Sequence, residues 1–296
     1  MVLIGAHTFA WSPGITDQEL EPLFAELIGT AIDFVELASY DLEGLTPTAI
    51  RRVSAASGLP VTLCSGLPGG LSLASPEAAC RREAQDHVRR LLEFAQACGA
   101  VKLSGPIHGD LSKPASEPSS SDDWKRLEES FLGLRSDLTE SGLPFSIEPL
   151  NRYQSSLLNT LQQAEALRQA IDLENVGILA DLFHANLEQD HLYRDLETHR
   201  TSIRHVHLCG ANRGRIGCCH LDWHQLIQWI ASFPATTMMS IETFNAEVPL
   251  LARRTRTWRP LGGSAPSIVL DGAATIKQRL KNIPPLNRSH HGDSSP

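Results

Sequence analysis

Four side chains able to ligate a divalent metal each close an apolar run in the second half of the chain. Glu148 closes Pro-Phe-Ser-Ile-Glu, Asp181 closes Val-Gly-Ile-Leu-Ala-Asp, His207 closes Ile-Arg-His-Val-His and Glu242 closes Met-Met-Ser-Ile-Glu. Their separations (181 − 148, 207 − 181, 242 − 207) are 33, 26 and 35 residues, the length of a strand plus a helix and their loops. If each run is a parallel strand of one barrel, the four side chains gather at one rim. Three carboxylates and an imidazole suit a divalent ion and leave carboxylates for proton transfer. Taken singly, each acid reads equally well as a helix cap or half of an ion pair; repetition at four strand ends favours a shared site. His184, three residues after Asp181, and Arg213, six after His207, add an imidazole and a cation suited to an oxygen-rich ligand.

The elements that must position these groups follow from periodicity. Eight β-type runs are expected: Val2–Phe9, Phe34–Ala38, Pro60–Gly66, Ala100–Gly105, Pro144–Glu148, Val176–Asp181, Ile203–Cys209 and Thr236–Glu242. Several are apolar on both faces, as strands under helices are. Helical spacing marks 17–28, 122–141, 160–171 and 222–233. Ser75-Pro76-Glu77 reads as cap, first-turn proline and acid, opening a helix that runs to Cys98 and stops at Gly99. Eight strands alternating with helices define an α/β fold, a (β/α)8 TIM barrel over residues 1–282, with 283–296 as a disordered tail. Residues 113–123, rich in Pro and Ser, follow the fourth strand and read as either a lid or a solvated loop. There is no internal repeat and no phosphate-cradling glycine motif, and His290-His291 is discounted as a ligand pair.

A formal net charge of -8 over 296 residues disfavours nucleic acid and anionic membrane as partners. No apolar stretch approaches the roughly 18 residues of a membrane span. The N-terminus starts as a strand, without the pattern of a signal peptide. The six cysteines form no Cys-x-x-Cys pair and read as reduced thiols of a cytoplasmic protein.

Several segments resemble the ketose 3-epimerases, the D-tagatose and D-psicose 3-epimerase type. They are Ile-Glu-Pro-Leu-Asn-Arg-Tyr (147–153), Asp-Leu-Phe-His-Ala-Asn-Leu-Glu (181–188), His-Val-His-Leu-Cys-Gly-Ala-Asn-Arg-Gly (205–214), Gly217 through His220-Leu-Asp-Trp223, and Ile-Glu-Thr-Phe (241–244). Looser matches lie at 63–67, 74–76, 103–107 and 258–260, and the first of these motifs is the most specific. The resemblance implies a xylose-isomerase-like barrel. It implies one Mn2+, Co2+ or Mg2+ held by Glu148, Asp181, His207 and Glu242, a small sugar substrate, and a homodimer or homotetramer. It also implies that Glu148 and Glu242 remove and return the C3 proton through a cis-enediolate, and that His184 and Arg213 hold substrate oxygens near C1 and C2.

Two positions depart from that pattern. Gln154 stands where the family has Glu; it keeps hydrogen bonding but carries no charge, so the bonding around His184 is expected to change. His7 stands where an aromatic residue is usual and makes the wall facing the distal carbons more polar, while Phe244 and Trp11 remain to supply apolar surface. Cys64 matches a substrate-side cysteine of the family and reads equally well as core. His205 is expected to turn away from His207 and pack against the helices. His108 is assigned to lid or pocket, Glu36 to the pocket or a helix cap, and His220 and Trp223 to the loop motif. Arg253, Arg254, Arg256 and Trp258 are assigned to a solvated or subunit-facing helix. Alternatives within the superfamily are a hydroxypyruvate-isomerase-like or inosose-dehydratase-like enzyme. An endonuclease would want more histidine ligands and a basic face, and a non-catalytic sugar-binding barrel has only Gln154 in its favour.

Overall fold

The computed structural model describes residues 1–40, 42–112 and 117–283. Eight parallel strands close into one barrel in chain order: β1 Leu3–His7, β2 Phe34–Ala38, β3 Val61–Cys64, β4 Leu103–Gly105, β5 Phe145–Ile147, β6 Val176–Asp181, β7 Ile203–Leu208 and β8 Met238–Ile241. Closure is made by β1 and β8, with Leu3 opposite Met238 and Ala6 opposite Ile241. Every expected strand is present, and most are shorter than the apolar run that announces them. Glu148 and Glu242 therefore lie one residue past their strands, on the rim where catalytic loops begin. On β7, His205 pairs with Met238 and His207 with Ser240 of β8, while His207 faces Asp181 of β6.

The helices form because their apolar stripes cover the outer faces of the strands. Leu20, Leu23, Phe24 and Leu27 of the Asp17–Leu27 helix, and Leu161, Ala164, Leu167 and Ile171 of the Leu161–Ile171 helix, are buried at the spacing an α-helix requires. Two helical expectations need correction. The first helix after β3 is Ala78–Cys98, capped at Glu77; the Ser75 hydroxyl instead accepts the Glu77 N–H at 3.2 Å, closing a turn ahead of it. Its end at Gly99, with φ 74°, is where the sequence puts it. The 122–141 segment is two helices, Ser121–Leu132 and Arg135–Ser141. The break falls at Gly133 and Leu134, where the Gln85 side chain of the long helix donates to Ser130 O in the last turn of the first helix at 2.9 Å. Ser120 caps the first of the pair, so part of the proposed lid is helix cap; Lys113–Ser116 and the tail from residue 284 lie outside the described residues. Helices Pro47–Ser57, Leu182–Glu188, Leu192–Thr198, Trp223–Ala231, Pro249–Thr255 and Ala265–Lys281 complete the shell. Among the described residues, no helix is long and apolar enough to cross a membrane.

The barrel interior is polar. Glu36, Thr62, Ser104, Ser146, His205 and Ser240 are fully buried in strands, where the branched aliphatic residues common to such barrels would otherwise be expected. His205 is thus not turned toward the helices. It contacts Glu36, Lys102 and Ser240, because residues two apart on a strand share a face and His207 faces inward.

Gly105 anchors the rim near β5. Its φ is 127°, its carbonyl accepts the Glu148 N–H at 3.1 Å, and a Cβ there would lie 2.1 Å from Ser65 O. Gly105→Ala is expected to lower unfolding free energy by roughly 2–4 kcal/mol, read by urea denaturation; a change under about 0.5 kcal/mol would show that the β3–β4 approach is not constrained in this way.

Candidate metal centre and active site

Glu148, Asp181, His207 and Glu242, carried by four consecutive strands, each present a ligand atom within 4.8 Å of the others, and all four are buried. His207 Nδ1 lies 3.2 Å from Glu242, 3.4 Å from Asp181 and 3.8 Å from Glu148, with no hydrogen-bond partner of its own. Its Nε2 meets Glu36 Oε2 at 3.1 Å. Because a carboxylate only accepts, Nε2 carries a proton; Nδ1 faces three acids, which favour a proton there when no ion is bound and leave its lone pair free for an ion when one is. An imidazole lone pair converging with carboxylate oxygens is stabilised by a cation among them.

The charges agree. Glu36, Glu148, Asp181 and Glu242 are buried acids, while Arg213 and Lys102 are the buried bases beside them. With all four acids ionised and the imidazoles neutral, as ligation requires, four negative charges against two positive leave an excess of two, which a divalent ion would balance; without the ion that excess raises the affinity of Glu148 and His207 for protons. The donor set, three carboxylates and one imidazole, fits Mn2+, Co2+ or Mg2+. These four residues would hold the ion.

Each side chain has a local reason for its place. The Asp181 carboxylate caps the Leu182–Glu188 helix, accepting Phe183 N–H at 2.7 Å and His184 N–H at 3.1 Å. Arg213 sits at φ 66° in the loop after β7, held by a hydrogen bond from Thr243 Oγ1 to its carbonyl at 2.6 Å. Its guanidinium donates to Asp181 at 2.5 Å and to Glu242, and it lies over the rings of Phe183 and Phe244. Arg213 Nη2 meets His184 Nε2 at 3.2 Å. His184 Nδ1 accepts from the Asn151 backbone at 3.1 Å and from its side-chain amide at 2.8 Å. His108 donates through Nε2 to the Glu148 carbonyl at 3.1 Å, fixing that residue's backbone from behind.

Burial dominates the electrostatics. It pushes the Glu148 carboxyl well above the usual carboxylate range, with the charges of Asp181 and Glu242 adding to the effect against His207 and Arg213. Burial acts the same way on Asp181 and Glu242, but Arg213 foremost, joined by the nearby histidines, holds both below it. Desolvation would also depress His207; Glu242 and Glu36 override it and raise its affinity for a proton. Burial keeps His184 and His108 neutral, down to about 4.

Of the other expected residues, His7 is fully buried. Its Nδ1 accepts the Phe9 N–H at 3.4 Å, so Nε2 carries the hydrogen, 3.5 Å from Glu242 Oε1 and without a hydrogen-bond partner. Cys64 joins Phe9 and Leu251 in a small buried cluster with Tyr40 and Phe244 packed against it. Among the described residues the Gln154 side chain makes no hydrogen bond, and Asn151 is the partner of His184. Trp11 directs its indole N–H to Glu26. His220 donates to Asn186 at 3.2 Å, and Trp223 opens the helix after β7. Arg254 stacks on Tyr40 at 5.7 Å, and Trp258 is exposed. Asn151 and Lys102 are the residues given no role by the sequence reading. Asn151 stands three after Glu148, inside the most specific motif.

The xylose isomerase-like TIM barrel family model matches residues 24–265. A probable ketose 3-epimerase of Synechocystis sp. is 30% identical over 277 residues, covering 94% of this chain and 96% of that protein. An L-ribulose 3-epimerase of Mesorhizobium japonicum is 24% identical, with 88% of each covered. A solved structure of an L-ribulose 3-epimerase superposes with a TM-score of 0.87 at 24% identity over 95% of both chains, which establishes the likeness of fold.

Mn2+ at one hundred times its dissociation constant is expected to stabilise the protein by about 2.7 kcal/mol, read as a thermal shift that chelator reverses. Asp181→Asn, which retains a capping residue while removing a charged ligand, is expected to lose most of that shift. An unchanged shift in this variant would place the ion elsewhere.

Proposed function

The chain belongs to the xylose isomerase-like TIM barrel family and to the ketose 3-epimerases within it, and from that membership we propose a metal-dependent 3-epimerase acting on a free ketohexose or related small ketose. The observation that carries the reading is the buried quartet within 4.8 Å, two of whose members are glutamates from different strands. A divalent ion held by Glu148, Asp181, His207 and Glu242 would supply Lewis acidity toward the carbonyl and hydroxyl oxygens of the sugar.

The chain's own residues account for the rest. One of Glu148 and Glu242 takes the C3 proton, leaving a flat cis-enediolate, and the other returns a proton to the opposite face. By microscopic reversibility the two exchange roles in the reverse direction. His184, oriented by Asn151, and Arg213 contact the oxygens at C1 and C2. The Phe244 and Phe9 rings, with Cys64 beneath them, face the remaining carbons. The His7 N–H offers a hydrogen bond there, and Gln154 is assigned to the same substrate surface. All six cysteines are free thiols, which fits a reducing, cytoplasmic setting.

Incubation with Mn2+ and a panel of ketoses in D2O is expected to place deuterium at C3 of at least one sugar together with its 3-epimer. Glu148→Gln and Glu242→Gln are each expected to lower the rate by about 10²–10⁴. An aldose or a dehydrated product would instead indicate an isomerase or dehydratase, and binding without turnover a sugar-binding barrel. His7→Phe is expected to raise KM for the best sugar by roughly 5–30-fold with kcat less affected, the loss of one hydrogen bond. Equal KM values would remove His7 from the substrate wall.

A further inference from the structure

Beneath the quartet, three buried side chains that the proposed chemistry leaves unused, Lys102, His205 and Glu36, run in an unbroken series up to His207. Lys102 Nζ donates to Arg204 O at 2.6 Å and lies 3.4 Å from His205 Nδ1. His205 Nε2 lies 3.2 Å from Glu36 Oε2, and the same oxygen is 3.1 Å from His207 Nε2. Ser104 donates to the other Glu36 oxygen at 3.1 Å. Lys102, Glu36, His205 and His207 are all buried.

The donor and acceptor inventory leaves one arrangement. An ammonium has hydrogens only to give, so His205 Nδ1 accepts. Neutral His205 then carries its hydrogen on Nε2 and gives it to Glu36. A carboxylate has only lone pairs to offer, so Glu36 accepts from His205, from Ser104 and from His207. The direction of every bond is thus set from the bottom of the barrel upward, and in the neutral His207 that an ion requires the lone pair falls on Nδ1, facing the three acids. The wrong tautomer of His207 would set the Nε2 lone pair against the Glu36 carboxylate inside a dry interior, where such a mismatch is costly.

We infer that Glu36, itself oriented by the Lys102–His205 pair, is the positioning residue of the metal centre: it locks the ring and tautomer of His207 so that Nδ1 is presented to the ion. Glu36 belongs to β2, far in the chain from the four ligands, and its register partner on β1 is His7. The inference rests on the metal-binding reading above.

The experiment is Mn2+ titration calorimetry on wild type and Glu36→Gln, each checked for folding by thermal melting. It is paired with long-range ¹H–¹⁵N spectra of histidine-labelled wild type saturated with diamagnetic Mg2+. Glu36→Gln preserves the side chain's shape and removes its charge and one acceptor. It is expected to bind Mn2+ roughly 10–100-fold more weakly. The wild-type spectra are expected to show His205 protonated on Nε2, a readout that general destabilisation would not create and that needs no variant to fold. Equal Mn2+ affinity in the two proteins, or His205 protonated on Nδ1, would overturn the inference. Failure of wild type itself to bind Mn2+ would instead overturn the metal-binding reading.

Discussion

Buried negative charge is the constraint around which this barrel is organised. Glu36, Glu148, Asp181 and Glu242 are all withdrawn from water, and carboxylates in a dry interior are tolerated only when cations and donors face them. Every unusual polar feature nearby answers that demand. Arg213 takes a left-handed backbone conformation to reach Asp181 and Glu242. Lys102 and the serines fill an interior that aliphatic residues would pack more simply. His108, Asn151 and Thr243 spend their hydrogen bonds on holding rim residues in place. Strand closure supplies what no local interaction can: the register that sets Asp181 opposite His207 and brings β8 back beside β1.

The parts of this arrangement legible in the sequence are those governed by short-range periodicity. Each strand shows as an apolar run because its outer face lies under helices, and the four proposed ligands show because each terminates such a run. The layer beneath was not legible as a layer. Ser146, Ser240 and His205 precede their ligands by two residues and therefore share their direction, but small polar residues inside apolar runs read as interruptions. His205 stands two residues before His207, and a strand's period of two gives both the same face, which is the reverse of the expectation that it turns toward the helices. Glu36 is a charge within Phe-Val-Glu-Leu-Ala, a visible anomaly whose partners lie 169 and 171 residues away, beyond the reach of any local pattern.

The two departures from the family pattern have different physical standing. Gln154 removes a charge, but His184 already receives two hydrogen bonds from Asn151, so its ring is oriented without an acid at 154. His7 changes more. It packs edge-on against His207 with ring centroids 5.1 Å apart, and its N–H points toward Glu242. A residue proposed for the substrate wall is therefore also a neighbour of a proposed metal ligand and of a proposed proton carrier. An aromatic hydrocarbon in this place would leave the Glu242 carboxylate with Arg213 and His207 as its polar neighbours. The imidazole N–H stands 3.5 Å from Glu242 Oε1, short of a hydrogen bond, so it acts on that carboxylate only as a nearby dipole. Position 7 thus borders two proposed tasks at once, the outline of the sugar site and the surroundings of Glu242.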